Sequence, residues 1–464
     1  MKILVAITSY GTANDKYLVR LIEEYRSMSH NVDIVVLSNI PKSVDGVEVR
    51  VGLPTKDPWS LPFAHKQVLA ERVNDYDLFI YSEDDTLVTE ANIRAVLELS
   101  KQLPEREIPG FFRYEISAGN RINYPEFHSL YHWDPGSVRR RGEHVMAYFT
   151  GEHSACYLLT QRQLRSAIAS GGYLVPPHRG KYDLACTAAT DPYTQCGFQK
   201  LICISQVDDF LVHHLSNKYL GTRYGVDDPE FRRQIQVLMK IEQNGHSPVR
   251  LFSTETALQD GEYSKDYYEP AREEVMSAIP DGIRNVLSVG CGSGNTEASL
   301  IKRGVRVVAA PLDPVILGGV NAKGVTVVEG DLETVRERLR VERFDCLLLQ
   351  NVLHLLPNPS EVLRSYAHLL SKNAAVIALV PNLWSFGSVW RGIRSRDILK
   401  RWNGFENSKV QFTHAGLLRQ WFQSTGMNIE KLSAVGPARK FGTGAPFFGR
   451  FAHSDFIVVA RKLQ

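Results

Sequence analysis

The sequence predicts an α/β fold arranged as two domains. Its 464 residues are enough for two or three domains of ordinary size. Two segments each open on a short apolar strand and then alternate strands with helices. That order predicts a mostly parallel sheet with helices on its faces. Hydrophobic residues make up 44% of the chain and charged residues 23%, as in ordinary globular proteins.

The first predicted domain covers residues 1–250. Strands and helices alternate in it from the start, in the stretches KILVAITSY, DKYLVRLIEEYRSM, VDIVVLSN, HKQVLAERV, DLFIYSEDD and EANIRAVLELSKQL. The sequence between residues 245 and 262 is mixed and only weakly periodic. We therefore place the domain boundary there.

The second predicted domain covers residues 262–464. It begins with a predicted helix, EPAREEVMSAI, and continues with strand NVLSVG and helix TEASLIKRG. Further strands follow at RVVAA, VTVVEG, FDCLLLQ and AAVIALVP, with a helix at SEVLRSYAHLL before the last of them. This order again predicts a parallel sheet covered by helices.

Charge and cysteine usage exclude several classes of function. The net charge of +3, from 54 basic and 51 acidic residues, argues against nucleic acid as a partner. A basic cluster runs from Arg391 to Arg401, and it is either a solvated face or a contact for an anionic acceptor or a membrane surface. The six cysteines form no C-x-x-C pair, which argues against zinc and favours the reducing cytoplasm. The first residues predict a strand rather than a signal peptide, and no stretch approaches the ~20 apolar residues of a membrane span.

The most informative motif is VLSVGCGSGNTEASL, from Val286 to Leu300. A buried apolar strand meets a glycine-rich turn that opens a helix. Glycines let the backbone pass close to a ligand, and the helix start offers free N–H groups. The glycines at 290, 292 and 294 form G-x-G-x-G, which differs from the dinucleotide pattern G-x-G-x-x-G.

This motif and the segments after it resemble the class I S-adenosylmethionine-dependent methyltransferases, which have a Rossmann-like fold. The segments RVVAAPLDP, VTVVEGDLETV, RFDCLLLQNVLHLLPNPSEVLR and VQFTHAGLLRQWFQSTGM follow in the family's order. The resemblance implies that the turn residues Gly290, Cys291, Gly292 and Gly294 line the cofactor. It also implies that Asp331 lies beside the adenine amino group, that Leu332 packs on the adenine ring and that Asn351 faces the methionine moiety.

The chain departs from the family's pattern in two places. Pro311 stands at the end of the second strand, where relatives carry an acidic residue that binds the ribose hydroxyls. Either Asp313 takes that role, or the cofactor binds weakly, or the domain is degenerate. His354 is shifted by one position from the family's histidine. It is the candidate base for an acceptor hydroxyl, and a structural role at a helix start is the alternative.

The chemistry of the first domain centres on YDLFIYSEDDTLV, Tyr76 to Val88. An apolar strand ends in Glu83, Asp84 and Asp85, whose charges repel one another unless a cation neutralises them. Carboxylate oxygens of this kind suit Mg²⁺ or Mn²⁺, and a diphosphate can supply further ligands. An acidic surface turn without a metal is the alternative.

This motif resembles the D-x-D signature of nucleotide-sugar-dependent glycosyltransferases with the GT-A fold, a mixed sheet with helices. The resemblance implies that Glu83 and Asp85 bind the metal, with His214 as a late ligand. It also implies that His65 and Lys66 face phosphates. The ends of the first two strands would contact the nucleotide through Ser9, Tyr10, Ser38 and Asn39.

Three carboxylates compete as general base on the acceptor of the sugar, namely Glu152, Asp183 and Asp191. Asp191 precedes a proline, a sequence that also favours a structural turn.

The sequence thus predicts a bifunctional carbohydrate-modifying enzyme. It would transfer a sugar from a nucleotide-sugar donor in a metal-dependent reaction, and it would methylate an oxygen of a glycan, a lipid-linked or a small-molecule acceptor. Two alternatives stay open. Only one domain is catalytic and the other is a binding module, or the first domain is a nucleotidyltransferase.

Overall fold

The computed structural model describes residues 1–117, 122–245, 248–395, 397–436 and 453–462. Contacts along the chain divide it into two compact units, Met1–His246 and Ser247–Gln464. Part of the predicted second domain, residues 437–452 and 463–464, lies outside the described residues. Both units are mixed α/β, which confirms the predicted fold class at that level.

The first unit contains short strands interspersed with helices. Its strands are β1 (Lys2–Ser9), β2 (Asn31–Ser38), β3 (Glu48–Val51), β4 (Leu78–Glu83), β5 (Thr86–Leu87), β6 (Glu107–Pro109), β7 (Phe112–Ile116), β8 (Ile122–Tyr124), β9 (Trp133–Arg141), β10 (His144–Phe149), β11 (Cys156–Thr160), β12 (Gln199–Cys203), β13 (Leu211–His214) and β14 (Val226–Asp227). Its helices are α1 (Asp15–Ser27), α2 (Ala64–Glu71), α3 (Glu90–Ser100), α4 (Gln161–Ala169), α5 (Leu184–Thr194) and α6 (Asp228–Asn244), with 3₁₀ turns at Pro58–Phe63 and Val207–Phe210.

The main sheet of the first unit has the order β11-β4-β1-β2-β3. β1 is parallel to β2 and to β4, and β11 runs antiparallel to β4. Alternate residues of β1 enter two hydrophobic cores: Ile3, Val5 and Ile7 pack in the core with α1 and α3. Leu4 and Ala6 pack in the core with α2 and α4. The sheet is therefore covered on both faces, as parallel sheets are.

Two smaller sheets complete the first unit, with the orders β6-β12-β10-β9 and β14-β8-β7-β13-β5. The second of these pairs His214 on β13 with Thr86 on β5, next to the acidic motif.

The second unit is a single larger sheet flanked by helices. Its strands are β15 (Asn285–Cys291), β16 (Arg306–Pro311), β17 (Thr326–Val327), β18 (Phe344–Gln350), β19 (Leu370–Pro381), β20 (Met427–Val435) and β21 (Asp455–Lys462). Its helices are α7 (Glu273–Ala278), α8 (Asn295–Lys302), α9 (Pro314–Ala322), α10 (Leu332–Arg338), α11 (Pro359–Ala367), α12 (Phe386–Arg394), α13 (Ile398–Trp402), α14 (Phe405–Ser408) and α15 (Ala415–Gln423), with 3₁₀ turns at Gln259–Gly261 and Leu353–Leu355.

The sheet of the second unit has the order β17-β16-β15-β18-β19-β21-β20. β15 to β19 run parallel, and β21 is antiparallel to its two neighbours. β18 is buried on both faces, with Leu347 and Leu349 in one core and Cys346 and Leu348 in the other. The strand predicted at VTVVEG is present only as β17, and the first predicted helix begins later, at Glu273.

In each sheet the strand order reverses beside the first strand of the unit. β2 and β3 lie on one side of β1 and β4 on the other, and β16 and β18 likewise flank β15. Such a reversal opens a crevice at the carboxyl ends of the strands, which is where α/β sheets bind ligands. In the described part of the chain no helix is both long enough and apolar enough to cross a membrane.

Candidate functional sites

The glycine-rich turn of the second unit joins β15 to α8. Gly290 and Gly294 have φ angles of 81° and 76°, in the left-handed region that favours glycine. Gly294 is also the N-cap of α8. These two positions therefore need glycine for their backbone conformation.

Gly292 is required for a different reason, which is close packing. A Cβ atom at this position would lie 2.2 Å from the carbonyl oxygen of Tyr267. The backbone N–H of Ser293 donates a hydrogen bond to the same oxygen at 2.6 Å. The segment around Tyr267 thus lies directly against the turn.

A polar network lies at the carboxyl end of β18, beside this turn. Asn351 has a φ of 53°, unusual for a residue other than glycine, and its Nδ2 donates to Glu269 Oε2 at 3.0 Å. The ammonium of Lys265 pairs with Glu269 and donates to the carbonyl of Gln350 at 2.5 Å. Gln350 Oε1 accepts from the Thr296 hydroxyl at 3.0 Å.

One hydrogen-bond donor of this network has no partner among the described residues. Gln350 Nε2 is buried and has no hydrogen-bond partner among the described residues. Buried polar groups are normally paired, so an unpaired amide beside a glycine-rich turn indicates a place for a polar ligand group.

The position after β16 bears on ribose binding. The strand ends at Pro311, as predicted, and Asp313 is the N-cap of α9. Asp313 Oδ1 accepts from the N–H groups of Val315 and Ile316 at 2.8 and 3.1 Å. Burial raises the pKa of this carboxyl. One oxygen of Asp313 is therefore committed to the helix start.

The other predicted cofactor residues differ in exposure. Asp331 is exposed at the N-cap of α10, and its hydrogen bond from Thr334 N, 2.7 Å long, lowers its pKa. Leu332 is partly buried against the core. Cys291 is buried, and burial raises the pKa of its thiol, so the thiol is chemically unreactive.

His354 lies in the 3₁₀ turn after β18 and is almost fully buried. Its Nε2 is 2.8 Å from the carbonyl oxygen of Tyr263, an arrangement that places the proton on Nε2. Nδ1 is buried and has no partner among the described residues. Burial lowers the pKa of His354 to about 4, so the ring is neutral at neutral pH.

In the first unit a cavity of about 380 Å³ lies at the carboxyl ends of β1 and β4. Both strands end here in register, with Thr8 beside Glu83. The cavity is lined by residues of three further segments as well, and the full set is Thr8, Tyr10, Asn14, Pro58, Trp59, Leu61, Pro62, Glu83, Asp84 and Ala185.

The acidic residues of the motif diverge from one another. Asp85 Oδ2 is 3.2 Å from His214 Nε2, and His214 Nδ1 is 2.6 Å from Glu115 Oε1. Burial raises the pKa of Asp85, but His214 outweighs burial and holds it at about 2. Burial lowers the pKa of His214, and the two carboxylates outweigh that effect and raise it.

Glu83 and Asp84 make separate contacts. Glu83 Oε1 is 3.5 Å from His153 Nε2, while Asp84 Oδ1 accepts from Asn14 Nδ2 at 2.7 Å. Burial raises the pKa of Asp84 to about 6. Of the three predicted metal ligands, the structure brings together Asp85 and His214. Among the described residues, no three histidine, cysteine, aspartate or glutamate side chains form a group able to hold a metal ion.

The three candidate bases all have structural partners. Glu152 accepts hydrogen bonds from the hydroxyls of Tyr148 and Tyr182 and pairs with Lys181 at 2.8 Å. Burial raises the pKa of Glu152, but these partners outweigh it and leave the pKa below its usual value. Asp183 is the exposed N-cap of α5.

Asp191 does not form the turn predicted from its proline neighbour. It lies inside α5, fully buried, and pairs with the ammonium of Lys66. Lys66 and His65 also differ from their predicted role at phosphates, because both are buried and His65 Nε2 bonds to Tyr157 at 2.6 Å. The partners of these three residues come from distant parts of the sequence, so the sequence around each residue does not reveal them.

The predicted nucleotide contacts occupy the ends of β1 and β2. Ser9 and Ser38 are buried, whereas Tyr10 is half exposed and lines the cavity. Asn39 Oδ1 accepts from Gly11 N at 2.7 Å and so ties the two strand ends together.

Sequence reasoning missed Glu115, Asn14 and the cavity-facing role of Asp84. For Asp84 the only local signal was its place directly after the end of β4, since α/β sheets bind ligands at the carboxyl ends of their strands. No local signal was available for Glu115, which meets His214 from a position 99 residues away.

Comparison with known families gives a match that lies within the second unit. The sequence profile of a family described as "Methyltransferase domain" matches residues 260–432. That stretch contains the glycine-rich turn, the Gln350–Asn351 network and His354. Residues 260–432 carry a class I S-adenosylmethionine-dependent methyltransferase domain.

Solved structures of methyltransferases match part of the chain. One is a possible histamine N-methyltransferase from Thermotoga maritima, with 16% identity, a TM-score of 0.31 and coverage of 41% of this chain and 86% of its own. A methyltransferase from Methanosarcina mazei has 13% identity, a TM-score of 0.31 and coverage of 42% and 99%. Magnesium protoporphyrin IX methyltransferase from Synechocystis PCC 6803, with bound SAH, has 17% identity, a TM-score of 0.29 and coverage of 39% and 74%. A search of curated protein sequences found no match.

The buried pair of Lys66 and Asp191 gives a stability prediction. Replacement of Lys66 by Met leaves the Asp191 carboxylate buried without its ammonium, and we expect the free energy of unfolding to fall by about 3–5 kcal/mol. The double variant K66M/D191L should regain most of that loss. Urea unfolding of the wild type, both variants and the exposed control K101M measures the effect. A K66M variant as stable as K101M would contradict it.

His354 gives a prediction on pH. Its folded pKa of about 4 lies below the ordinary 6.5, so the unfolded chain binds more protons between these values. The stability that this residue contributes is complete above pH 6.5 and is lost as the pH falls toward 4. We expect the loss to be about 3 kcal/mol. Unfolding free energies measured across that range should fall less steeply for H354Q than for the wild type or the exposed control H368Q. Equal slopes for all three proteins would show that His354 is not buried in this way.

Proposed function

We propose that the chain is a bifunctional transferase that modifies carbohydrates. Residues 1–250 would transfer a sugar from a nucleotide-sugar donor, and residues 262–464 would methylate an oxygen of the product. The observation that carries the methyl-transfer half is the glycine-rich turn beside the unpaired Gln350 amide, within the methyltransferase domain.

The cofactor supplies a methyl group already activated on its sulfonium, so the protein has to position it and deprotonate the acceptor. Gln350 and Asn351 would hold the methionine moiety, with Leu332 and Asp331 at the adenine. His354 would be the base, because it is neutral and its Nδ1 lone pair is not engaged among the described residues, although a pKa of about 4 makes it a weak one.

The sugar-transfer half rests on the carboxyl edge of the β1–β4 crevice. Asp85 and His214 would hold Mn²⁺ or Mg²⁺, with the donor diphosphate supplying further ligands. Glu115 supports this assignment, because a carboxylate on Nδ1 fixes the ring with Nε2 toward the metal position, as in many metal sites. When bound, the metal ion would neutralise the charge of the leaving diphosphate.

Asp84, the residue before Asp85, would add a titrating group from the cavity at the ends of β1 and β4. It lines the cavity and has a pKa of about 6, close to the pH at which a general acid or base works best. Glu152 is a weaker candidate for the base, because three donors already bind its carboxylate. Tyr10 lines the cavity and would contact the nucleotide, with Ser9, Ser38 and Asn39 at the neighbouring ends of β1 and β2.

Fusion of the two activities would raise the local concentration of one product at the next site. The acceptor would be a glycan, a lipid-linked or a small-molecule hydroxyl compound. We place the enzyme in the cytoplasm, because its six cysteines are free thiols.

A second candidate function follows from Asp313. Because Pro311 offers no carboxylate and Asp313 caps a helix, the methyltransferase domain would bind its cofactor weakly and serve as a binding module. Calorimetric titration of S-adenosylmethionine distinguishes a methylating enzyme from a binding module.

Titration of S-adenosylmethionine into the full chain by calorimetry tests the methyl-transfer half. We expect binding, and we expect N351A to weaken it about tenfold, the effect of losing one hydrogen bond to a charged group. The exposed control E333Q should bind as the wild type does. No heat of binding at millimolar ligand would rule out methylation and favour the binding module.

Hydrolysis of a panel of nucleoside diphosphate sugars with Mn²⁺ tests the sugar-transfer half. We expect release of free sugar, with a rate reduced at least about tenfold in D85N and in the positioning variant E115Q. The exposed control D45N should keep the wild-type rate, and chelation of the metal should abolish the reaction. A nucleotidyltransferase would release no free sugar, and that result would overturn the proposal.

A further inference from the structure

The surface of the second unit carries an apolar patch between residues 384 and 402. Six of the sixteen exposed large hydrophobic residues in the described chain lie in this segment of α12 and α13. Three of the protein's six tryptophans are among them. The six are Trp384, Phe386, Trp390, Ile393, Leu399 and Trp402. Scattered exposed apolar residues are normal, but six of them so close together in the sequence indicate a contact surface.

α12 exposes the large apolar residues that an ordinary surface helix would bury. Phe386, Trp390 and Ile393 recur at the spacing of one helix face, and all three are about half exposed. The inward side carries the small residues Ser388 and Gly392, which are fully or nearly fully buried. A Cβ at Gly392 would lie 2.9 Å from the Arg401 guanidinium. The helix therefore packs tightly through its small residues and leaves its large apolar ones outside.

α13 likewise buries a charged residue and exposes apolar ones. Arg401 points inward with 2% exposure, while Leu399 and Trp402 are each 65% exposed. The Arg401 guanidinium pairs with Glu262 and donates to the carbonyl of Ser388 at 2.8 Å. A buried arginine with a carboxylate partner fixes α13 in this orientation, so the outward tryptophan is held in place.

The charges of the segment have one predominant sign. Between residues 384 and 402 the sequence has five basic residues and one acidic residue, Asp397. Asp397 is buried and accepts a hydrogen bond from the backbone of Gln259 at 2.5 Å. Arg391, Arg394 and Lys400 are exposed beside the apolar residues.

We propose that residues 384–395 and 397–402 form a docking surface for a membrane that contains anionic lipids. Tryptophan and leucine on one face with arginine and lysine around them are typical of helices that lie in the lipid interface. The basic groups complement anionic headgroups, each adding binding energy near the surface. A second copy of the chain fits less well, because its like patch would bring positive charge against positive charge.

The docking surface is joined to the methyltransferase site through Tyr263. Its hydroxyl bonds to Ser388 of α12, and its carbonyl oxygen lies 2.8 Å from His354 Nε2. The segment also follows β19, whose carboxyl end lies at the same sheet edge as the ends of β15 and β18. Docking would thus place this edge at the level of the headgroups, where a lipid-linked acceptor presents its hydroxyls. That last step rests on the proposed function, whereas the docking itself does not.

Sedimentation of the full chain with vesicles tests the docking. The probes are vesicles of phosphatidylcholine alone and of phosphatidylcholine with phosphatidylglycerol in equal parts. We expect binding to the mixed vesicles, weakened by salt, with a blue shift of tryptophan fluorescence. W390S/W402S should lower the affinity at least about tenfold and R394A about fivefold. The control V341S, at another exposed apolar position, should bind as the wild type does.

Other outcomes would overturn the proposal. Equal binding of W390S/W402S and the wild type would show that the patch is not the contact. No binding to either vesicle, with self-association on ultracentrifugation that W390S/W402S abolishes, would assign the patch to a second copy. No binding and no self-association would leave the patch without a lipid role. An unchanged thermal unfolding midpoint shows that the variants are folded. The readout is binding alone, so failure here is distinct from failure of either transfer reaction.

Discussion

The constraint on which the rest of the structure depends is the burial of each central sheet on both faces. In β1 and in β18 successive side chains enter two different hydrophobic cores, so neither face can hold a polar ligand. The groups that contact a polar ligand can then lie only where the strands end. The reversal of strand order separates the connecting segments at the carboxyl edge, and both candidate sites lie at such a reversal.

The features that the sequence predicts well are local ones. The glycine-rich turn follows from a strand, three spaced glycines and a helix start, and the structure supplies the reason for each glycine: backbone conformation at 290 and 294, packing at 292. The acidic motif at the end of β4 and the proline at the end of β16 are likewise predicted. The contacts that decide roles are not, because they join distant residues: His214 to Glu115, and Lys66 to Asp191, 125 residues apart. Asp191 was expected at a turn and is instead part of a buried ion pair.

The two sites differ in how far their groups are already engaged. In the second unit Asp313 is partly committed to a helix start, while Gln350 Nε2 and His354 Nδ1 are buried without partners in the described chain. In the first unit Asp85, His214 and Glu115 form a chain of contacts in which each side chain already has a partner. The proposed docking of the exposed apolar patch on a membrane would favour an acceptor that is held at the membrane surface.

A crystal structure of the full chain soaked with S-adenosylhomocysteine, a nucleoside diphosphate and Mn²⁺ tests the central claim most directly. We expect density for the homocysteine moiety at Gln350 and Asn351 between β15 and β18, and a metal ion on Asp85 and His214 bound to the diphosphate. Density for the homocysteine ligand elsewhere, or none in either crevice, would contradict it.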